Sequence, residues 1–463
     1  MLTFQQHHQN QELINTFGFY CIDVLNAYTV ENDKQETPNL CKLFFHELLC
    51  FFTSTYISQI TNQNDSEKAE LPFVNATFIK EPKMHLSRNK TINNVSLLGF
   101  FFKLNFWSKK TVWIGSTLRR EEKKALIKHA HKFKIRFIKK QQIDFNQYEI
   151  EEFHQLLKQV NQKLNLPLTL DHLDCFFNYC KQFINTSKKT VDKKGILLTG
   201  TTTKIQSRIN AANFLKHSQK VYSFGHGHAS IRLFDEPIFI YGEQWFCSTF
   251  IDYGQEKKDN LKSHPRVINR TSERIQSLRN TGTTEAFKRK YLYVPTSFSS
   301  YKNYAPFRNF YDAYYLAWQK QLLDYFSKVN MNFKLKAHPK TITNYDFLSE
   351  ELIEKKGLYQ CFKDYDGFIF DYVSTALAET LATKNNIFFF DIGNRKITKE
   401  ALFKIRQDTN YIKIDFNQDL DQQIAQNFDK LKSRSFSYID TFSTSRKTTK
   451  DVIKDILKDY SIE

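Results

Sequence analysis

The chain has 463 residues, 41% of them hydrophobic and including 44 Phe and 23 Tyr, enough for two or three packed domains and incompatible with a disordered chain. Lys and Arg outnumber Asp and Glu by 67 to 49, a formal net charge of +18. That excess has two readings: solubility with a base-composition bias toward Lys, Asn, Phe and Ile, or an anionic partner such as a nucleotide, a phospholipid headgroup or a nucleic acid.

Residues 1–108 carry two helical patterns, Phe17 to Ala27 and Leu40 to Ile60. In the second, Phe44, Leu48, Phe51 and Phe52 fall on spacings that suit one buried face. Thr61 to Lys68 is a polar loop, and the short apolar runs up to Trp107 suit strands. The region shows no chemistry and reads as a mostly helical extension packing on the N-terminal half. Its first residues, Met1 to His8, lack a basic segment followed by an apolar run, so no signal peptide is expected. No stretch reaches about 18 uninterrupted apolar residues, so no membrane span is expected.

The pattern clears from Thr111. Val112 to Gly115 is a strand, Ser116 or Thr117 caps a helix running to about His131, and Ile135 to Ile138 is the next strand. Amphipathic helices follow at Glu149 to Leu164 and Leu170 to Ile184. Gly195 to Thr199 is a strand, Gly200 to Thr203 a turn, Lys204 to Leu215 a helix and Lys220 to Phe224 a strand. That last strand runs into Gly225-His226-Gly227-His228. Pro237 to Tyr241 and Trp245 to Cys247 read as further strands or strand-loop pieces, and the polar stretch Leu261 to Thr284 as a linker.

Beyond it, Lys290 to Val294 is a strand ending at Pro295-Thr296-Ser297. A helix from about Asp312 to Lys328 presents Tyr315, Trp318, Leu322 and Phe326 on one face. Asn332 to Lys336 is a strand that stops at His338-Pro339. Gly367 to Phe370 is a strand followed by Asp371-Tyr372-Val373-Ser374-Thr375, a helix through Glu379 to Ala382, and a strand from Ile387 to Asp391. Strand, turn, helix, strand at this spacing is a βαβ crossover, which implies a parallel sheet. A strand at Tyr411 to Ile414 and helices at Asp419 to Leu431 and Thr448 to Tyr460 complete the chain. The expected division is 1–108, 109–285 and 286–463.

Ligands bind beyond the carboxyl ends of parallel strands, where these polar residues fall. His338, between Lys336 and Lys340, can donate to a phosphate oxygen in positive surroundings. A lone His is also often just a satisfied or exposed residue. Ser374 or Thr375 can cap a helix, and the second hydroxyl with the helix's first N–H groups can face an anion. Glu379, a turn further on, suits ribose hydroxyls or is a plain surface Glu. Thr296 and Ser297 offer hydroxyl donors. In the other half His226 and His228 are candidate general bases, with two glycines allowing close backbone approach. A metal there lacks carboxylate or Cys partners, so none is expected. The seven Cys (Cys21, Cys41, Cys50, Cys175, Cys180, Cys247 and Cys361) form no CxxC and no metal-type spacing, and read as buried thiols of a reducing compartment. There is no GxGxxG, Walker A or GxSxG, and no aromatic-interleaved basic stripe.

Residues 190–460 resemble the bacterial CDP-glycerol glycerophosphotransferases and related capsule and CMP-sugar transferases of the GT-B type. Tyr291-Leu292-Tyr293-Val294-Pro295-Thr296 is similar to a strand ending in YAPT, Lys336-Ala337-His338-Pro339 to K-x-HP, Asp366 to Thr375 to D-x-x-I-(T/S)-D-Y-S-S, and His226-Gly227 to W-H-G-T. Val373 stands where the first of two serines is usual, no Trp precedes His226, and the arginine common after Pro-Thr is missing, with Arg308 a substitute. The resemblance implies an α/β, GT-B-like fold of two Rossmann-like, doubly wound parallel-sheet domains around a cleft. It implies transfer of a sugar or polyol phosphate from a nucleotide-activated donor, CMP- or CDP-linked, to an acceptor hydroxyl of a surface polysaccharide. Thr296, Ser297, Lys336, His338, Pro339, Asp371, Ser374, Thr375 and Glu379 would bind the donor, and His226 or His228 would be the base, with no cofactor or metal. The acceptor would be a glycan or lipid-linked glycan, reached from the cytoplasm with peripheral contact at an anionic membrane, and no nucleic acid is expected. Two other classes remain open: a non-catalytic GT-B scaffold of polysaccharide assembly, and a nucleic-acid binder resting on charge alone.

Overall fold

A computed structural model describes residues 4–30, 39–61, 110–115, 118–129, 132–139, 141–185, 194–225, 230–234, 240–257, 265–279, 281–282, 289–296, 312–339, 345, 347–393, 395–428, 431–432 and 435–462. The loop and short strands expected between Thr61 and Trp107 lie outside these residues. The architecture is α/β with parallel sheets.

In chain order the strands of the first half are β1 (Thr111–Ile114), β2 (Lys134–Phe137), β3 (Ile143–Asp144), β4 (Ile184–Asn185), β5 (Ile196–Thr199), β6 (Val221–Phe224), β7 (Thr249–Tyr253) and β8 (Arg266–Arg270). Strands β3 and β4 form a small parallel pair. The others form one sheet in the order β2-β1-β5-β6-β7-β8, every neighbour parallel. Strands β5, β6 and β7 are buried along their whole length, because a parallel sheet covered on both faces needs apolar side chains on both. Alternate residues feed two cores. Leu197, Val221 and Phe250 point to one face, and Ile196, Leu198, Tyr222, Phe224 and Ile251 to the other.

The helices of this half are α1 (Phe4–Val30), α2 (Leu40–Thr61), α3 (Arg120–Ile127), α4 (Gln147–Leu164), α5 (Leu170–Lys181) and α6 (Ile205–Lys216). Helix α4 opens on a capping box in which Asn146 accepts from the Glu149 N–H and Glu149 accepts from the Asn146 N–H. Helices α1 and α2 pack on each other and against α4, and α2 also packs on α6. Phe44, Leu48, Phe51 and Phe52 are all buried, as expected, but so is most of the rest of α2. This helix is long and apolar enough to cross a bilayer, yet 78% of its Leu40–Ile57 stretch is buried inside the fold, the condition of a core helix. The Arg208 guanidinium fastens it. Its Nε donates to the Leu43 carbonyl at 2.9 Å, one end donates to the Thr203 carbonyl at 2.6 Å, and the other pairs with Glu47.

Three expectations here are corrected. Of the pieces read as strands or strand-loop, Pro237 to Phe239 lies outside the described residues, Ile240–Gln244 is a π-helical turn and Trp245–Cys247 is not a strand; the strand is Thr249–Tyr253. The polar stretch read as a linker contains β8, the edge strand of the sheet. An edge strand with one partner tolerates Arg and Asn, so its sequence lacks a buried strand's apolar run. Helix α3 also starts later than a cap at Ser116 or Thr117 would place it, after Arg119, with no side-chain cap.

Two short helices, α7 (Ser230–Leu233) and α8 (Glu273–Gln276), also belong to the run of the first sheet, and the second half contains β9 (Tyr291–Tyr293), α9 (Asp312–Lys328), β10 (Phe333–Leu335), α10 (Leu358–Cys361), β11 (Gly367–Phe370), α11 (Thr375–Leu381), β12 (Asn386–Asp391), α12 (Lys399–Asp408), β13 (Asn410–Lys413), α13 (Leu420–Phe428), α14 (Ser437–Phe442) and α15 (Thr449–Ile462). Its sheet is parallel throughout, in the order β10-β9-β11-β12-β13. Helix α15 leaves this sheet and returns to the first, where Val452, Ile453, Ile456 and Leu457 join the core formed by Val112, Ile114, Ile196 and Leu198.

Candidate functional site at the carboxyl edges

Both sheets reverse winding direction between their first and third strands, so each has a topological switch point: between β1 and β5 in one, β9 and β11 in the other. In parallel sheets the crevice for a ligand opens there, beyond the strands' carboxyl ends. In the second sheet the ends are level. The Val294 N–H donates to the Ile369 carbonyl at 2.9 Å and the Lys336 N–H to the Tyr293 carbonyl at 2.8 Å. The chain therefore leaves β9, β10 and β11 at one edge, bringing Thr296, Lys336 to Pro339 and Asp371 to Thr375 to the same rim.

The side chains at that rim do different things. Ser374 is the N-cap of α11, its hydroxyl accepting from the Leu377 N–H at 3.2 Å, and Thr375 is the first helical residue. Both are half-buried, as is His338; Pro339 is exposed. The Lys336 ammonium turns to the Glu354 carbonyl at 3.2 Å. Asp371 does not face the crevice. Strand alternation puts it on the side of Ile369, where it is fully buried and accepts from the Tyr315 hydroxyl at 2.8 Å, the Trp318 Nε1 at 3.0 Å and the Tyr293 hydroxyl. Burial pushes its carboxyl up to about 6 against the pull of those three donors.

Glu379 is also buried, and its carboxylate pairs with Arg274, which follows β8 of the first sheet. Burial raises its pKa, opposed by Arg274, the Tyr359 hydroxyl and Arg119. It therefore lies in the seam between the two halves rather than on an open helix surface. Ser297, His226, His228 and Arg308 lie outside the described residues.

What flanks the two histidines is described. Gly225 follows the end of β6, and a Cβ there would lie 3.3 Å from Asp252 Oδ1 and 3.2 Å from the Phe250 ring. The chain next returns at α7. By Phe234 it pairs with Ile397 of the second half, while the Arg232 guanidinium faces Glu400 and the Thr398 N–H donates to the Leu233 carbonyl. Gly225 thus lies at the first sheet, and Phe234 touches the second half. At the seam beside it, Arg395 is buried between the rings of Phe234 and Tyr372, and its Nε donates to the Tyr372 hydroxyl at 3.0 Å.

Asp252, on β7, was hidden from sequence reasoning because the strand was placed too early. It is 3% exposed at the carboxyl edge of the first sheet. Burial pushes its carboxyl up to about 6, while the Tyr253 N–H, Arg232 and Arg270 favour the charged form. A carboxyl that changes charge near neutrality can take up a proton during a reaction. Its signal in the sequence is an acid closing an apolar run, Phe250-Ile251-Asp252, before Gly254. Further along the same edge, Arg270 is fully buried between Glu122 and the Tyr253 hydroxyl, at 2.6 and 2.7 Å, and Arg119 reaches that hydroxyl at 3.2 Å. Among the described residues no cluster of three or more His, Cys, Asp or Glu suits a metal ion.

No protein-family model matches this chain, and no curated protein sequence is significantly similar to it.

Proposed function

We propose that this protein is a transferase that moves a sugar or polyol phosphate from a nucleotide-activated donor to an acceptor hydroxyl in surface-glycan synthesis. One observation carries the reading: Thr296, His338 and the Ser374-Thr375 pair emerge at one rim around the switch point between β9 and β11. A hydroxyl, an imidazole and a hydroxyl-bearing turn there supply hydrogen-bond donors for phosphate oxygens without a metal. A GT-B arrangement is supported by two parallel sheets of like winding and by α15, which crosses from the second to the first.

In this scheme the second half holds the donor. His338, Thr296, Ser374 and Thr375 meet the phosphates, with Ser297 beside Thr296. Arg395 adds positive potential from the seam. Glu379 ties the halves through Arg274, which replaces the ribose contact that its sequence position suggests. The first half holds the acceptor, and its hydroxyl proton passes to His226 or His228, with Asp252 as the nearby carboxylate. The net charge of +18 favours an anionic bilayer surface that presents a lipid-linked acceptor at the cytoplasmic face.

Calorimetry with CMP, CDP, UDP and GDP tests the reading. One of them should bind, and His338→Ala should weaken it about 10-fold, the worth of a hydrogen bond to a charged group. Absence of binding by all four would remove the transferase and leave a non-catalytic scaffold.

A further inference from the structure

The two strands that frame the donor crevice are paired in the sheet, and at their ends a buried carboxylate adds a further link. Tyr293 ends β9, Asp371 follows β11, and Tyr315 and Trp318 lie on α9, which covers that face of the sheet. Asp371 Oδ1 accepts from the Tyr315 hydroxyl at 2.8 Å, and Oδ2 from Trp318 Nε1 at 3.0 Å and from Tyr293. Tyr315 has one proton and two lone pairs. Having donated to Asp371, it accepts the Thr296 backbone N–H at 2.9 Å. Thr296 is the residue at which β9 turns into the rim. On the other side of the crevice Asp371 is three residues before Ser374, the cap of α11. All four polar groups are buried, where a hydrogen bond is stronger and its loss costs more than in water.

We infer that Asp371 is a positioning residue for the nucleotide crevice: through Tyr315 it holds the Thr296 turn, and its own anchoring in the core fixes the chain three residues before the Ser374 turn, so that one buried carboxylate steadies both turns at the ends of strands already paired in the sheet. The inference rests on the nucleotide reading for what the crevice holds, not for how it is held. A carboxylate is the group this position needs. It accepts at both ends, whereas an amide accepts at one, so Asn could serve Tyr293 and Trp318 or Tyr315, but not both. The three donors come from segments of different kind, a strand end and two turns of a helix, which fixes α9 against the strand ends. The motif residues Tyr293 and Asp371 thus meet in the core behind the crevice, and their effect on a ligand passes through the turns they hold.

Two readouts test this, one independent of any ligand. In Tyr315→Phe, amide hydrogen exchange at Thr296 should quicken at least about 10-fold, because its N–H loses a buried acceptor, and in Asp371→Asn it should also quicken, because the Tyr315 hydroxyl that accepts it is less firmly held. The affinity for CMP, or for whichever of CDP, UDP or GDP the protein binds, should fall by about 10-fold in the same variants. Leu323→Ala, a cavity on the same helix that does not touch the relay, controls for lost stability and should leave both near wild type. Thr296 exchange in Tyr315→Phe no faster than in Leu323→Ala would overturn the inference. So would faster exchange with unchanged nucleotide affinity. If the wild-type protein binds none of the four nucleotides, the donor reading falls, while the exchange measurement still decides whether Asp371 holds the turn.

Discussion

A carboxyl group enclosed at a strand end keeps its proton to higher pH than one in water, since burial disfavours the charged form. Asp252 and Asp371 both do so, each pushed from an ordinary 3.8 to about 6. The sign for stability follows. Between those values the folded chain binds more protons than the unfolded one, so the contribution is present below about pH 4 and is lost as pH rises through about 6. Asp371→Asn should remove its share. In urea unfolding the wild type should gain stability over that variant on moving from about pH 7 to about pH 4.5; a difference independent of pH would contradict it. For Asp252 the chemical consequence is the more telling. Asp252→Asn should lower turnover by about 100-fold or more with donor affinity unchanged, as loss of a carboxylate that supports a proposed general base does. A parallel loss of donor affinity would place Asp252 on the wrong side of the seam.

The helices α2 and α6 show how an extension without chemistry of its own bears on a site. The turn after β5, Gly200 to Thr203, lies at the first sheet's switch point and leads into α6, whose N-cap Lys204 makes no capping hydrogen bond. Arg208, one turn into that helix, holds the Thr202 and Thr203 carbonyls from below while Glu47 of α2 neutralises it. The pair is buried, and removing one partner strands a charge. Arg208→Ala should therefore cost about 3–5 kcal/mol in urea unfolding, whereas Arg208→Met combined with Glu47→Leu should recover most of it. Equal losses in both variants would mean that packing, rather than charge, is what Arg208 supplies. Helices α1 and α2 are in this sense a brace for the first sheet's switch point.

Over the whole molecule, the two halves are bound at several places on one seam. Gly254 has φ of 92°, and a Cβ there would lie 2.5 Å from the Thr441 carbonyl oxygen, so only glycine allows this approach. The Gln255 N–H donates to that carbonyl, and the Ser272 N–H to that of Ser443. Phe234 pairs with Ile397, Arg274 with Glu379, and the Arg270 guanidinium donates to Thr449 at 2.9 Å. Helix α15 then closes the first sheet's outer face. Ending the chain after Lys447 would expose that face and forgo the burial of Val452, Ile453, Ile456 and Leu457, each worth about 1.5–3 kcal/mol. The shortened chain should melt well below the full one or fail to stay in solution; an unchanged melting temperature would show that the helix is dispensable.

Much of this was readable from residue order. Alternation and apolar runs located most of the central strands, and helical spacing put α9 at Asp312–Lys328, because period and polarity are local properties that burial on both faces makes plain. The strand-end positions of Thr296, His338 and Ser374 followed from the same cues. Strands β7 and β8 did not: a π-helical turn mimics an aromatic strand in composition, and an edge strand carries the polar residues of a loop. Nor did the fates of Asp371 and Glu379. Each lies in a motif at the right strand end, yet one turns into the core beneath α9 and the other meets Arg274, about a hundred residues earlier in the chain. A sequence specifies which side of its own strand a residue takes. What waits on that side is a matter of which distant helix or half packs there, and only the folded chain decides it.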